Sequence, residues 1–204
     1  MSRIYQLLEF RPVYNFVQRL ARIGGAHQLH ALFHEFANSQ SYDAVLELGC
    51  GTGLWTVTSV NRYVRTDINQ SYFPANPPPG MEFRTADAAD LSGFPDQSFD
   101  LVYSMGLYHH LPDDAVVSSL KESSRVVRRD GKIIVFDAIL PTSRINFPAW
   151  ILRKLDRGGW VRREAGTAAL CERAGLTIRR TKRCRWGPGL EGCAFEAIPG
   201  SQGC

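Results

Sequence analysis

Nowhere in the 204 residues is there a run of about 18 apolar residues, so no membrane-spanning helix is expected. The opening residues, MSRIYQLLEFRPVYNF, have no continuous apolar block and no small-residue cleavage site, so no secretory leader is expected. Cysteine is scarce and odd in number, at positions 50, 171, 184, 193 and 204, with no C-x-x-C spacing. That argues against a zinc pattern and a disulfide framework, and implies reduced thiols in a cytoplasmic protein. Repeats and low-complexity tracts are absent. The one proline run, Pro77-Pro78-Pro79, reads as a local loop rather than a linker. What remains is an ordinary globular composition, 44% hydrophobic and 22% charged. A chain of this length forms one domain, or one domain with a short cap.

The net charge of +4 is unevenly spread. Residues 1–120 hold 7 Lys/Arg against 12 Asp/Glu, whereas residues 121–185 hold 17 against 6. Such a basic half can attract an anionic substrate, a lipid headgroup or nucleic acid, or can be a solvated surface with no partner.

Residues 3–37 show apolar positions at spacings of three and four, which predicts helices, with Gly24-Gly25 as a break. One helix is expected over Ala26–Ala37. Strands and helices then alternate. Ala44–Leu48, Tyr63–Ile68, Met81–Thr85, Ser98–Ser104 and Lys132–Asp137 read as strands, and a short helix is expected after the first. Asp113-Asp114 is expected to cap a helix running to about Arg128. A helix near Glu164–Ala174 and strands over 176–183 and 192–198 complete the pattern. This alternation predicts a doubly wound, mostly parallel seven-stranded α/β sheet. Residues 1–40 would form a helical cap, 41–204 the sheet domain, and 141–163 a lid insertion.

In such sheets a ligand lies at the carboxyl ends of the strands. The first strand runs directly into Gly49-Cys50-Gly51-Thr52-Gly53, where glycine allows a sharp turn and a close backbone approach. Asp67 ends the second strand and can accept both hydroxyl protons of a ribose; Asp87 follows the third and can accept an exocyclic amine. The third glycine comes one residue too early for the dinucleotide fingerprint, which argues against NAD, and no Gly-Lys-Ser/Thr sequence marks a nucleotide-triphosphate loop. Cys50 reads as a small packing residue rather than a nucleophile.

Val45–Gly53 resembles the first motif of the class I S-adenosylmethionine-dependent methyltransferases, in their small-molecule, type 11-like branch. The resemblance continues through Asp67-Ile68-Asn69, Thr85-Ala86-Asp87-Ala88, Phe94–Val102, Leu107–Asp113 and Ser124–Ile134. It implies a Rossmann-like fold, S-adenosylmethionine as cofactor and S-adenosylhomocysteine as product. By the same resemblance, Glu47 and the Gly49, Cys50, Gly51 and Gly53 backbone hold the amino-acid end. Asp67 binds the ribose, Ile68 packs on the adenine, Asp87 with Ala88 reads the adenine amine, and Ser104 lies near the sulfonium. The chain departs from the pattern in two places. Only 14 positions separate Gly53 from Asp67, and Pro74 and Pro77–Pro79 stand where a full helix is usual, so that helix is expected to be truncated.

A base is required only for a protonated acceptor. His109 and His110 follow the fourth strand and are the candidates, with a structural hydrogen bond as the competing role. His27, His30 and His34 share a helix face, but no acid pattern accompanies them and no metal is expected. Acceptor choice is expected from the N-terminal helices (Tyr5, Tyr14, Phe16) and from the insertion (Trp150, Trp160). Residues 147–163 mix aromatic and basic side chains and could meet a membrane interface or cover an amphiphilic substrate. Arg179, Arg180, Lys182, Arg183 and Arg185 raise the alternative of RNA methylation. A third alternative is a protein of this fold that binds the cofactor without methyl transfer.

Overall fold

The computed structural model describes residues 26–143, 146, 149, 150, 153, 159–186 and 189–200. Tyr5, Tyr14 and Phe16, with the rest of the expected cap before Ala26, lie outside the described residues.

The apolar segments pair into one sheet of seven strands: β1 (Tyr42–Leu48), β2 (Val60–Asp67), β3 (Met81–Thr85), β4 (Phe99–Met105), β5 (Val127–Ile139), β6 (Leu176–Trp186) and β7 (Leu190–Pro199). Their order is β3-β2-β1-β4-β5-β7-β6. The first five are parallel, and β7 joins β5 antiparallel with β6 outside it. β1, β4 and β5 are central and almost wholly buried, which is why they read as apolar runs. The chain steps outward from β1 to β3 and then returns to place β4 beside β1. The crevice at the carboxyl ends of β1 and β4 is therefore the switch point where this architecture receives ligands.

Each face of the sheet has its own core. Helix α1 (Ala26–Ala37) lays Leu32, Phe33, Phe36 and Ala37 over Val45, Tyr63, Tyr103, Ile134 and Phe136. On the other face, α2 (Asp113–Val126) and α3 (Glu164–Arg173) cover Leu46, Val64, Val102, Val135 and Phe195 with Val116, Leu120, Val126 and Leu170. Gly175, at φ +80°, ends α3 in the left-handed conformation that suits glycine.

Several boundaries differ from expectation. Pro112 occupies the N-cap of α2 without a side-chain bond, and Asp113 and Asp114 lie in the first turn, where their charge suits the helix dipole. β5 begins directly after α2, with a register shift against β4, because the Asp130-Gly131 turn is absorbed as a bulge. β6 and β7 are longer than 176–183 and 192–198 because they pair with each other along almost their full length.

The short helix expected after β1 is absent, and residues 54–59 are irregular. Six residues rich in β-branched side chains are too few to repay helix nucleation. Between β2 and β3 the expected truncation is found. A single 3-10 turn, Gln70–Tyr72, is capped by the Asn69 side chain, and the proline run follows it.

Candidate functional site

The switch-point crevice begins with the glycine turn. Gly49, Gly51 and Gly53 have φ of +65°, +52° and +75°. A side chain at Gly49 would be strained by that backbone and would bring a Cβ within 2.7 Å of Leu107 Cδ1. Leu107 belongs to the turn that leaves β4, so the turns after β1 and β4 share the crevice. The Cys50 amide donates to the Thr66 carbonyl at 2.8 Å, which ties the glycine turn to β2. Cys50 itself is buried, and burial followed by the nearby Glu47 charge pushes its thiol up to about 12. It stays protonated and serves as packing.

Asp67 closes the turn from the β2 side. Its Oδ2 accepts the Gly51 amide at 2.8 Å and its Oδ1 the Asn69 amide at 2.9 Å. Each oxygen keeps a second lone pair, a donor-seeking pair that fits a vicinal diol such as a ribose. Beside it Ile68 is 71% exposed, an apolar surface of the kind a flat heterocycle covers. The Ala86 amide donates to the Asp67 carbonyl at 3.2 Å and brings Asp87 alongside. Asp87 Oδ1 accepts the Ala89 amide at 2.9 Å, and Ala88 is half-buried. These contacts set Asp67, Ile68 and Asp87 side by side at the carboxyl ends of β2 and β3.

Glu47 lies elsewhere. It points into the α1 face, 1% exposed, and its Oε2 accepts Arg65 Nε at 2.5 Å and the Tyr63 hydroxyl at 3.3 Å. Tyr63 and Tyr103 hydroxyls bond each other. Burial raises the Glu47 carboxyl, opposed by Arg65 and by hydrogen bonds from Tyr103 and Tyr63. Nothing in the sequence pattern marks Arg65 as the partner of Glu47; only the β1–β2 register, which sets these two residues opposite each other, does so.

On the β4 side, Gly106 and a 3-10 turn, Tyr108–His110, carry the two histidines. His109 is buried and its Nδ1 lies 2.5 Å from Asp137 Oδ1. A carboxylate on Nδ1 makes that nitrogen the donor and leaves Nε2 as the acceptor. His110 is exposed, with its ring 4.0 Å from that of His109. Asp137 was absent from the sequence-derived site, although an acid near the carboxyl end of an apolar central strand was the available signal. Ser104 is buried in β4 with no hydrogen-bond partner for Oγ.

Residues 159–162 run beside this turn. The Trp160 amide donates to the His109 carbonyl at 3.1 Å. Arg162 donates to the Tyr108 and Leu111 carbonyls, each at 2.7 Å, and to Asp113 at 2.8 Å. Further back, Arg153 is buried and donates to the Glu191 carbonyl. Two arginines that read as membrane-facing or solvated charge are thus internal ties. Trp150 and Trp160 are half-exposed. Four of the five basic residues on β6 are also engaged: Arg180 and Lys182 flank Glu35, Arg183 pairs with Glu164, and Arg185 with Glu191. His30 stacks with Trp55, and no metal-binding cluster occurs among the described residues. No helix among them is long and apolar enough to cross a membrane.

Residues 46–135 match the family described as a methyltransferase domain. The 27-O-demethylrifamycin SV methyltransferase of Amycolatopsis mediterranei is 29% identical over 113 residues, 50% of this chain. That match spans only 40% of the relative's length. Among solved structures, a SAM-dependent methyltransferase from Methanosarcina mazei superposes with a TM-score of 0.62 at 17% identity, over 83% of this chain and 97% of that one. The cyclase SpnF superposes with a TM-score of 0.63 at 15% identity, over 85% and 81%. At such identities the superpositions show the fold, which has the strand order and switch point described above. Residues 46–135, with the motifs from β1 to β5, are thus similar in sequence to methyltransferase domains, and the sheet is similar to theirs in fold.

Proposed function

We propose that the protein binds S-adenosylmethionine between the Gly49–Gly53 turn and Asp67, and methylates a hydroxyl of a small or amphiphilic metabolite. The carrying observation is the contact of Gly49 with Leu107, which joins the diol-seeking Asp67 side and the His109–Asp137 side in one crevice. When bound, the cofactor supplies a methyl carbon already activated for in-line displacement. The protein's part is alignment and proton removal. Asp67 and the exposed Ile68 hold the nucleoside, with Asp87 and the Ala88 backbone at its amine edge. Asp137 orients His109 so that Nε2 receives the acceptor's proton, and Trp160 sits over the same turn. His110, exposed beside it, faces the acceptor's approach. A rifamycin O-methyltransferase among the relatives supports an oxygen acceptor. The engaged charges on β6 weigh against RNA as substrate. The free, buried Cys50, Cys171 and Cys193 support a reducing, cytoplasmic setting.

A second reading, cofactor binding without methyl transfer, draws on the likeness to a cyclase. Calorimetric titration with S-adenosylmethionine, S-adenosylhomocysteine and NAD tests the donor site. Micromolar binding of the first two, and not of NAD, is expected. Incubation with a panel of hydroxylated acceptors then separates the readings. Formation of S-adenosylhomocysteine supports transfer, and tight binding with no product from any acceptor favours the second reading.

A further inference from the structure

The chain leaving the glycine turn does not enter a helix. In a helix, the Gly53 and Trp55 carbonyls would be taken by amides four residues on. Here Arg65 takes both: Nη1 donates to Gly53 at 3.3 Å and Nη2 to Trp55 at 2.5 Å. The Tyr63 and Tyr103 hydroxyls also lie within 3.5 Å of the Trp55 carbonyl. Arg65 is 3% exposed and would be costly to bury alone; Glu47 supplies its counter-charge. The fit is close, since a Cβ at Gly53 would come within 3.0 Å of Nη1. Protein atoms cover the Glu47 carboxylate, so a ligand amine reaches it only if this cluster opens.

We propose that Arg65, neutralised by Glu47, is a positioning residue for the cofactor turn: a buried strut that replaces the missing first helix. Glu47 then acts through Arg65 and not on the amino-acid end of the cofactor, as the family resemblance implies. The assignment rests on the cofactor reading above, but the strut itself does not need a ligand to be tested.

Arg65→Lys keeps the charge, yet one ammonium cannot reach Glu47 and both carbonyls together. Without ligand, amide hydrogen exchange over residues 51–58 is expected to speed up by about tenfold or more, with β4 and β5 amides unchanged. With ligand, S-adenosylhomocysteine affinity should fall about tenfold, while 5′-methylthioadenosine, which lacks the amino-acid end, changes less than about twofold. Glu47→Gln should act in the same direction, and the double variant should be no weaker than the worse single one. Unchanged exchange over 51–58 in a folded Arg65→Lys protein overturns the strut. So does loss of affinity in Glu47→Gln with Arg65→Lys at wild-type affinity, since Glu47 would then be a direct ligand. If Arg65→Lys does not fold, Glu47→Gln carries the same exchange measurement, and unchanged exchange there overturns the strut equally. A wild-type protein that binds no S-adenosylhomocysteine defeats the cofactor reading alone, and the exchange data still decide the strut.

Discussion

On the β4–β5 side of the crevice, the chain leaving β4 enters a 3-10 turn and then the 14-residue helix α2. On the β1–β2 side, the chain leaving β1 enters an irregular segment, and the chain leaving β2 makes only a single 3-10 turn. The first side satisfies its backbone within regular elements, and Arg162 needs to tie only the two turn carbonyls. The second side depends on the buried Arg65, held by Glu47, for the same task. A loop can replace a helix at a ligand site, but its carbonyls must then find donors from elsewhere in the fold.

The comparison also separates the roles assigned to the two sides. The largest expected effect is on the β4–β5 side. His109→Ala should lower kcat by about 10²–10⁴-fold while leaving S-adenosylhomocysteine affinity within about twofold. Asp137→Asn should move kcat in the same direction, because the imidazole loses the carboxylate that sets its tautomer. Equal losses in kcat and in cofactor affinity would erase the division between the sides.

Asp67→Ala should do the reverse. Loss of a carboxylate that binds the Gly51 amide and faces a diol should weaken S-adenosylmethionine binding by about 1.5–3 kcal/mol, read by calorimetry. At saturating cofactor, kcat should change little. Unaltered affinity would remove Asp67 from the donor site.

A smaller effect is expected for Arg162→Ala. It removes two hydrogen bonds from the histidine-bearing turn and one from Asp113 at the start of α2, and should raise the KM for the acceptor while sparing cofactor affinity. Thermal unfolding should show a cost of about 1–3 kcal/mol, the range for buried acceptors left without a donor. A variant with wild-type acceptor KM would show that Arg162 does not shape this turn.

The smallest effect is in the pH dependence of stability. Burial pushes the Tyr108 hydroxyl up to about 12, and moves Tyr63 and Tyr103 in the same direction. Unfolded tyrosine titrates near 10. The folded state therefore keeps protons that the unfolded state loses. Stability from these groups is intact below pH 10 and falls as pH rises toward 12 and beyond. Absorbance of tyrosinate at alkaline pH should show these side chains ionising only with unfolding. Early ionisation of Tyr63 but not Tyr108, assigned with Phe replacements, would mark the β1–β2 side as the looser of the two.

Much of this arrangement was legible before any contact was known. Helix α1 and the strands β1 to β5 followed from apolar runs and their punctuation, because central strands buried on both faces cannot tolerate polar interruption. The glycine turn was legible because its backbone conformation leaves a residue-level signature. Asp67 and Asp87 were candidates through the family resemblance, and the structure sets both at the neighbouring strand ends. His109 and His110 were legible as candidates but not as distinct roles. Burial and Asp137 set His109 apart from the exposed His110. Arg65 carried no signal in its strand, and Arg153 and Arg162 read as part of a basic, aromatic-rich segment.

The sequence by itself determined the order of elements, the position of the turn and the kinds of group at its rim, since these depend on neighbours within a few residues. Only the tertiary structure decided which charges are internal. The partner of Glu47 is 18 residues away, that of His109 is 28, and the carbonyls held by Arg162 are 51 and 54 away. Charge is cheap in water and tolerated inside only against a partner, and strand register and chain return, not local spacing, bring those partners into reach.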